Sequence, residues 1–244
     1  MNTAILEVQQ VGQQTDWSSD AILTDVSFTV AKGDRVAIIG ASGSGKTTLL
    51  RLLNRLTDPT TGQIFLDGQP LTSFPITQLR QQVGLVLQEP KLLGMPVWEA
   101  MTYPLVLQKR PKPEIEARVD LVRQQLHIPD EWLDRTELQL SVGQRQLVAI
   151  ARTLILHPQV LLLDEPTSAL DIGTASFLME QLTHLSQQQN MTILMVNHQL
   201  EVVRQFSQRV LYLQHGQLHK DLPANQVNWT ALREELTHPD QDDW

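Results

Sequence analysis

The sequence predicts an α/β fold in which a largely parallel sheet is covered by helices. Short runs such as Arg35–Ile39, Val83–Leu87, Val160–Leu163 and Met191–Val196 are almost continuously apolar, the pattern of strands buried on both faces. Stretches with helical periodicity lie between them, the alternation from which parallel sheets are built. Each run also ends in polar, chemically capable residues: Gly40 after Ile39, Gln88-Glu89 after Leu87, Asp164-Glu165 after Leu163, and Asn197-His198 after Val196. Ligands of open parallel sheets bind in the crevice off the carboxyl ends of the strands.

Along the chain, Ala4–Val8 and Ile22–Val30 read as strands, the second with Val26, Phe28 and Val30 alternating. The turn at Lys32-Gly33-Asp34 leads into Arg35–Ile39. A helix is expected from Lys46 to about Leu56, stopping before Asp58-Pro59. Gln63–Asp67 reads as a short strand. From 89 to 156 no β-run stands out and helical periodicity dominates, with breaks expected at Pro96, Pro104, Pro111, Pro113 and Pro129. Further helices are expected over 171–188, from Gln199 and over 229–236, with a strand at Arg209–Leu213 between the last two. The acidic tail beyond 236 is expected to fray.

Composition narrows the function classes. The 244 residues suit one large domain, or one domain with an insertion. With 19 Lys and Arg against 27 Asp and Glu, the net charge is -8. No overall field attracts nucleic acid, and no such partner is expected. The absence of cysteine excludes disulfides, cysteine-ligated metal and thiol catalysis by this chain. No window offers the roughly 20 apolar residues of a bilayer span, and no secretion signal is read at the start.

The most informative motif is Gly40-Ala41-Ser42-Gly43-Ser44-Gly45-Lys46-Thr47, between a strand and a helix. It satisfies G-x-x-x-x-G-K-[ST] in the context that motif requires. Glycines let consecutive N–H groups face phosphate oxygens, and the helix N-terminus adds its positive dipole end. Lys46 brings a charge to β- and γ-phosphates, and the Thr47 hydroxyl can ligate Mg²⁺. Asp164 then reads as the carboxylate that orders the metal's water shell, and Glu165 as the base that polarises an attacking water. Taken alone, Asp164-Glu165-Pro166 also fits an acidic turn and Asp171 a helix N-cap.

Leu140-Ser141-Val142-Gly143-Gln144 opens a helical run to Ala151-Arg152-Thr153, with Ser141 in the position of an N-cap. Together with Gln88, Ser168-Ala169-Leu170-Asp171 and His198 in this order, it closely resembles an ATP-binding cassette (ABC) transporter ATPase subunit over about Leu6 to Leu218. Asn54-Arg55-Leu56, Phe65-Leu66-Asp67-Gly68 and the LSVGQ form look most like phosphate-import, metal-export and plant aluminium-tolerance ATPases. The resemblance implies a P-loop core (1–88 and 157–244) with an N-terminal antiparallel β lobe and an inserted helical subdomain (89–156).

Residue by residue, the resemblance makes Gly40 to Thr48 the Walker A loop, including Ala41, Ser42, Gly43, Ser44, Gly45, Lys46 and Thr47. Asp164 becomes the Walker B carboxylate and Glu165 the catalytic base. Gln88 senses the γ-phosphate and Mg²⁺, so Thr47, Gln88 and Asp164 form the metal set. Ser141, Gly143 and Gln144 cap an ATP held by a second subunit, Asp171 joins the loop linking the two sites, and His198 contacts the γ-phosphate. The implied partners are a second copy of the chain and an integral membrane permease, with the ATPase peripheral on the cytoplasmic face. The implied cargo is a small solute such as phosphate or a metal ion. An iron–sulfur assembly type of ABC ATPase is the alternative, although its signature usually reads SGGE.

Three positions carry finer expectations. Relatives usually have arginine where Leu147 stands, so Arg145 is expected to compensate. Trp17, upstream of the loop, has a suitable spacing to stack on adenine. Met95 and Trp98 are expected to be exposed after Gln88 and to receive the permease.

Overall fold

The computed structural model describes residues 4–15 and 21–237. Trp17 and the acidic tail lie outside the described residues.

Two sheets organise the chain. Strands β1 (Ala4–Gln14), β2 (Ala21–Ala31), β4 (Thr61–Leu66) and β5 (Gln69–Pro70) form an antiparallel sheet in the order β2-β1-β4-β5. The other sheet contains β3 (Arg35–Ile39), β6 (Val83–Val86), β7 (Val160–Asp164), β8 (Thr192–Val196), β9 (Arg209–Gln214) and β10 (Gln217–Pro223), in the order β10-β9-β3-β8-β7-β6. All its pairings are parallel except β9 with β10.

The apolar runs are buried on both faces, as their composition requires. Leu161, Leu163, Ile193 and Met195 face one core, while Val160, Leu162, Leu194 and Val196 face another. The second core is closed by the antiparallel sheet and by helix α1 (Lys46–Leu53), which buries Leu49, Leu50, Leu52 and Leu53. Each such leucine contributes about 1.5–3 kcal/mol, so the helix behind the glycine loop is firmly seated. The first core holds α3 (Val97–Leu107), α4 (Lys112–Gln125), α5 (Val142–Leu154) and α6 (Ile172–Gln189). On the β9 side, α7 (Leu200–Phe206) and α8 (Trp229–Thr237) enclose a smaller cluster around Ala37, Ile39 and Tyr212.

The structure differs from the sequence expectations in several places. Helix α1 stops at Leu53, where Asn54 caps it and Arg55 turns to φ 52°. Strand β6 ends at Val86, leaving Leu87 exposed. Pro104 lies inside α3 without ending it; its ring forfeits one helix hydrogen bond, which the packed flank of the helix tolerates. Pro113 sits in the first turn of α4, where a missing N–H costs nothing. Helix α2 (Ile76–Gln82) and strand β10 are additions. Met95 and Trp98 are half-buried and pack on the helical core, whereas Leu93 between them and Gln88 is 64% exposed. Leu147 is buried in that core, and Arg145 donates to the Glu137 and Leu140 carbonyls at 3.2 and 3.0 Å, tying α5 to the turn before it.

Candidate functional site

The glycine loop folds as it does because two of its positions exclude a side chain. At Gly40 a Cβ would lie 2.2 Å from the Leu213 carbonyl oxygen, and at Gly45 (φ 94°) 2.5 Å from Leu23 Cδ2. Gly45 caps α1 with no side-chain hydrogen bond, so the first N–H groups of the helix remain available to an anion. Lys46 folds back over the loop, its Nζ donating to the carbonyls of Gly40 (2.9 Å) and Ala41 (2.7 Å) and to Ser44 Oγ (3.3 Å). Burial lowers the Lys46 pKa, and the nearby charges of Glu165 and Asp164 push it back up.

Parallel pairing brings the other strand ends to the same edge. Glu165 follows β7 and Val196 closes β8; the Glu165 N–H donates to the Val196 carbonyl at 2.9 Å. Glu165 itself has φ 48°, a conformation that costs an ordinary residue energy and that clusters at functional positions. Its carboxylate is held from two sides. Gln88 Nε2 donates to Oε2 at 2.9 Å, and His198 Nε2 lies 2.8 Å from Oε1. Residues distant in sequence thus converge on one carboxylate.

Ser42, Gly43, Gly45, Lys46, Thr47, Thr48, Gln88, Glu165 and His198 line one cavity of about 300 Å³, with Ile22 of β2 at its side. Asp164 lies beneath it, 2% exposed. Burial raises the Asp164 pKa, opposed by a hydrogen bond with the Thr47 hydroxyl; Glu165 raises it further, and Arg51 and Lys46 lower it. Asp164 Oδ1 is buried without a hydrogen-bond partner. A buried oxygen left open beside a hydroxyl, in a site built for phosphate, fits a hard divalent cation.

Ser141, Gly143 and Gln144 do not join this cavity. Ser141 caps α5: its Oγ accepts from the Gln144 N–H at 3.1 Å while Gln144 Oε1 accepts from the Ser141 N–H at 2.9 Å. Gly143 is pressed against the loop after β7, where a Cβ would lie 2.7 Å from the Ala169 carbonyl oxygen. Asp171 takes the bland position that its sequence allowed, capping α6 through the Thr174 N–H at 3.0 Å. Those bonds lower its pKa.

Asn197 belongs to none of the sequence motifs. Its Nδ2 donates to the buried Thr167 Oγ1 at 2.8 Å, and its Oδ1 accepts from the Gln199 N–H at 2.8 Å. It thereby fastens the segment after Glu165 to the segment carrying His198. A polar residue directly ahead of the histidine, at the end of a buried run, was the available signal. Asn197→Ala is expected to lower stability by about 1–3 kcal/mol, since it leaves the Thr167 hydroxyl unsatisfied. ATP hydrolysis should fall more than ATP binding does, as thermal melts beside steady-state assays would register.

The chain resembles known proteins over most of its length. The family model described as ABC transporter matches residues 23–168. Methionine import ATP-binding protein MetN 1 of Staphylococcus aureus (strain N315) is 34% identical over 241 residues, covering 96% of this chain and 68% of that protein. Among solved structures, cbiO1 from Clostridium perfringens, part of the ABC transporter complex cbiONQ, superposes with a TM-score of 0.84 at 28% identity. That match covers 96% of this chain and 94% of that one. The dimeric bacterial ABC transporter cassette MJ0796 gives a TM-score of 0.83 at 28% identity, covering 90% of this chain and 98% of that one. The same cassette has been solved with ADP and phosphate bound. At this coverage and identity the chain belongs to the ABC transporter family, as an ATP-binding, ATP-hydrolysing subunit.

Proposed function

We propose that this chain hydrolyses ATP as one half of a homodimer that drives a small solute through a separate membrane permease. The observation that carries the proposal is Glu165, held between Gln88 and His198 at the rim of the Lys46 loop. In this reading Gly40 to Thr48 hold the triphosphate, and Lys46 leaves its loop carbonyls for the β- and γ-phosphates. Glu165 takes a proton from the attacking water, and His198 and Gln88 fix the orientation of that base. Thr47, Asp164 and Gln88 would hold Mg²⁺, which when bound neutralises charge on the phosphates.

The second copy enters on physical grounds. The start of α5 presents the positive end of a helix, with the Ser141 and Gln144 N–H groups held by their capping box, yet it stands away from the chain's own phosphate cavity. Two copies related by a two-fold axis would let Ser141, Gly143 and Gln144 of each meet the phosphate of the other, an isologous arrangement with two equal sites. Exposed apolar residues stand on both sides of the proposed contact: Leu138, 94% exposed, and Val142, 48%, at the start of α5, and Ile172, 88%, beside Gly40 to Ser42 and His198. Clusters of this kind are usually covered by a partner. The proposed division of the chain keeps 89–156 as an inserted helical subdomain that carries the signature, with 1–88 and 157–244 as the core.

Among the described residues no helix is long and apolar enough to cross a membrane; in the proposed assembly the chain works beneath a separate permease on the cytoplasmic face. The signature segment resembles ion-handling relatives, while the curated relative above is named for methionine import. A small solute is the cargo class that both support. Vesicles containing the chain and its co-purified permease should accumulate or extrude one of methionine, phosphate or a divalent metal in an ATP-dependent manner. Hydrolysis unaffected by every permease and every solute would defeat the transport reading.

The raised pKa of Asp164 gives a signed prediction. A carboxyl with a raised pKa keeps its proton to higher pH, and only the carboxylate ligates a cation. Divalent-cation affinity should therefore rise with pH, and on acidification it should fall earlier than an ordinary carboxylate would dictate. Titration of cation binding against pH, wild type beside Asp164→Asn, isolates this component, which the variant should lack.

A further inference from the structure

Helix α5 buries one polar side chain. Gln146 is 2% exposed, and every other buried residue of the helix is glycine, alanine, valine, leucine or isoleucine. Neither its Nε2 nor its Oε1 has a hydrogen-bond partner among the described residues. Nearly all buried amides in folded proteins are bonded. One left bare costs stability that an apolar side chain of the same size would not.

Two close glycine contacts fix where this amide sits. At Gly143, one turn before Gln146 on the same face, a Cβ would lie 2.7 Å from the Ala169 carbonyl oxygen. Thr153 lies two turns beyond Gln146 on that face, and a Cβ at Gly84 of β6 would lie 2.4 Å from its Cγ2. Helix α5 is therefore pressed on the loop after β7 at one end and on β6 at the other, with Gln146 between. That loop begins at Glu165, whose carbonyl accepts from the Ser168 N–H at 3.2 Å and from Ser168 Oγ at 3.0 Å. A shift of the loop thus reaches the backbone of the base.

We propose that Gln146 is a positioning residue for Glu165, and that its amide is bonded in the ATP-closed dimer. The inference rests on the two-copy reading above, in which the ATP of the second copy draws the start of α5 toward its phosphate. The helix then moves against segment 166–170, and the Gln146 amide engages backbone C=O and N–H groups there. Glu165, at the head of that segment, is held in the orientation that takes the water's proton. The bare amide raises the energy of the resting arrangement, and closure gains its two bonds.

Gln146→Met keeps the length and volume of the side chain and removes both polar atoms. In the nucleotide-free chain the melting temperature should equal or exceed that of wild type. Affinity for ATP should be unchanged while kcat falls by about tenfold or more, the effect of losing two neutral hydrogen bonds made on closure. A residue that only packs α5 would move stability and rate downward together. Gln146→Leu repeats the comparison where methionine does not fit. The Glu165→Gln chain with Mg-ATP is run first: if it stays monomeric, the two-copy reading falls and takes this inference with it. If it dimerises, Gln146 is judged by its own variants. A lower melting temperature in both of them would show that the amide is bonded in the resting fold, and would overturn the inference. A kcat loss smaller than about tenfold in the folded variants would overturn it as well.

Discussion

Glu165→Gln should leave ATP affinity near the wild-type value while lowering the hydrolysis rate by about 10²–10⁴-fold, the usual contribution of a positioned general base. The amide keeps the shape and can still bond to Gln88 and His198, whose nitrogens now stand 2.9 and 2.8 Å from the carboxylate. It cannot accept the water's proton. The separation matters more than the size of the loss, because an interaction needed only in the transition state lowers kcat without weakening the ground state. Glutamine meets the φ of 48° at this position on the same steric terms as glutamate, so melting temperatures should stay close. Nucleotide-binding titrations and single-turnover rates measured together check both halves. A variant that turns over at the wild-type rate removes Glu165 from the chemistry.

Lys46→Ala should instead lose the nucleotide itself. Lys46 is the buried cation of the loop, 6% exposed, and its Nζ now bonds to three loop oxygens. Phosphate oxygens would replace them with charge-assisted bonds, each worth about 1.5–3 kcal/mol. Loss of two such bonds corresponds to an affinity drop of at least about a hundredfold. The free protein should be altered far less, since the loop's shape is set by Gly40 and Gly45 and by the packing of α1. Fluorescent-nucleotide titration beside a thermal melt distinguishes lost affinity from lost fold.

Much of this was legible in the sequence because it is local. The loop from Gly40 to Thr48 needs only its own residues and the helix after it. Ser141 was likewise legible as an N-cap from its place before a helical run, and the structure adds the reciprocal bond from its N–H to Gln144. The parallel core announced itself because strands buried on both faces leave no room for polar residues. Strand β10 did not, since it lies at the sheet's edge and alternates exposed with half-buried residues through His219, Lys220 and Asp221. Helix α2 is too short for periodicity to register.

What the sequence could not supply was contact between distant segments. Gln88, Glu165 and His198 were each singled out, but their meeting depends on the β6-β7-β8 order of the sheet. The Asn197–Thr167 bond depends on that order too. Met95 and Trp98 misled for a related reason: an apolar residue in a loop can dock inward as easily as outward, and here the α3–α5 core received both. Leu147 shows the reverse. Its departure from the usual arginine is absorbed as one more core leucine, while Arg145 bonds back to the preceding turn.

The claim on which the account turns is that each ATP is completed by the signature helix of another copy. Analytical ultracentrifugation of the Glu165→Gln chain with Mg-ATP tests it directly. The expected result is a dimer retaining one ATP per chain, which reverts to monomer when Ser141→Arg is added to block the capped helix start. A Glu165→Gln chain that holds a full complement of ATP and still sediments as a monomer would contradict it.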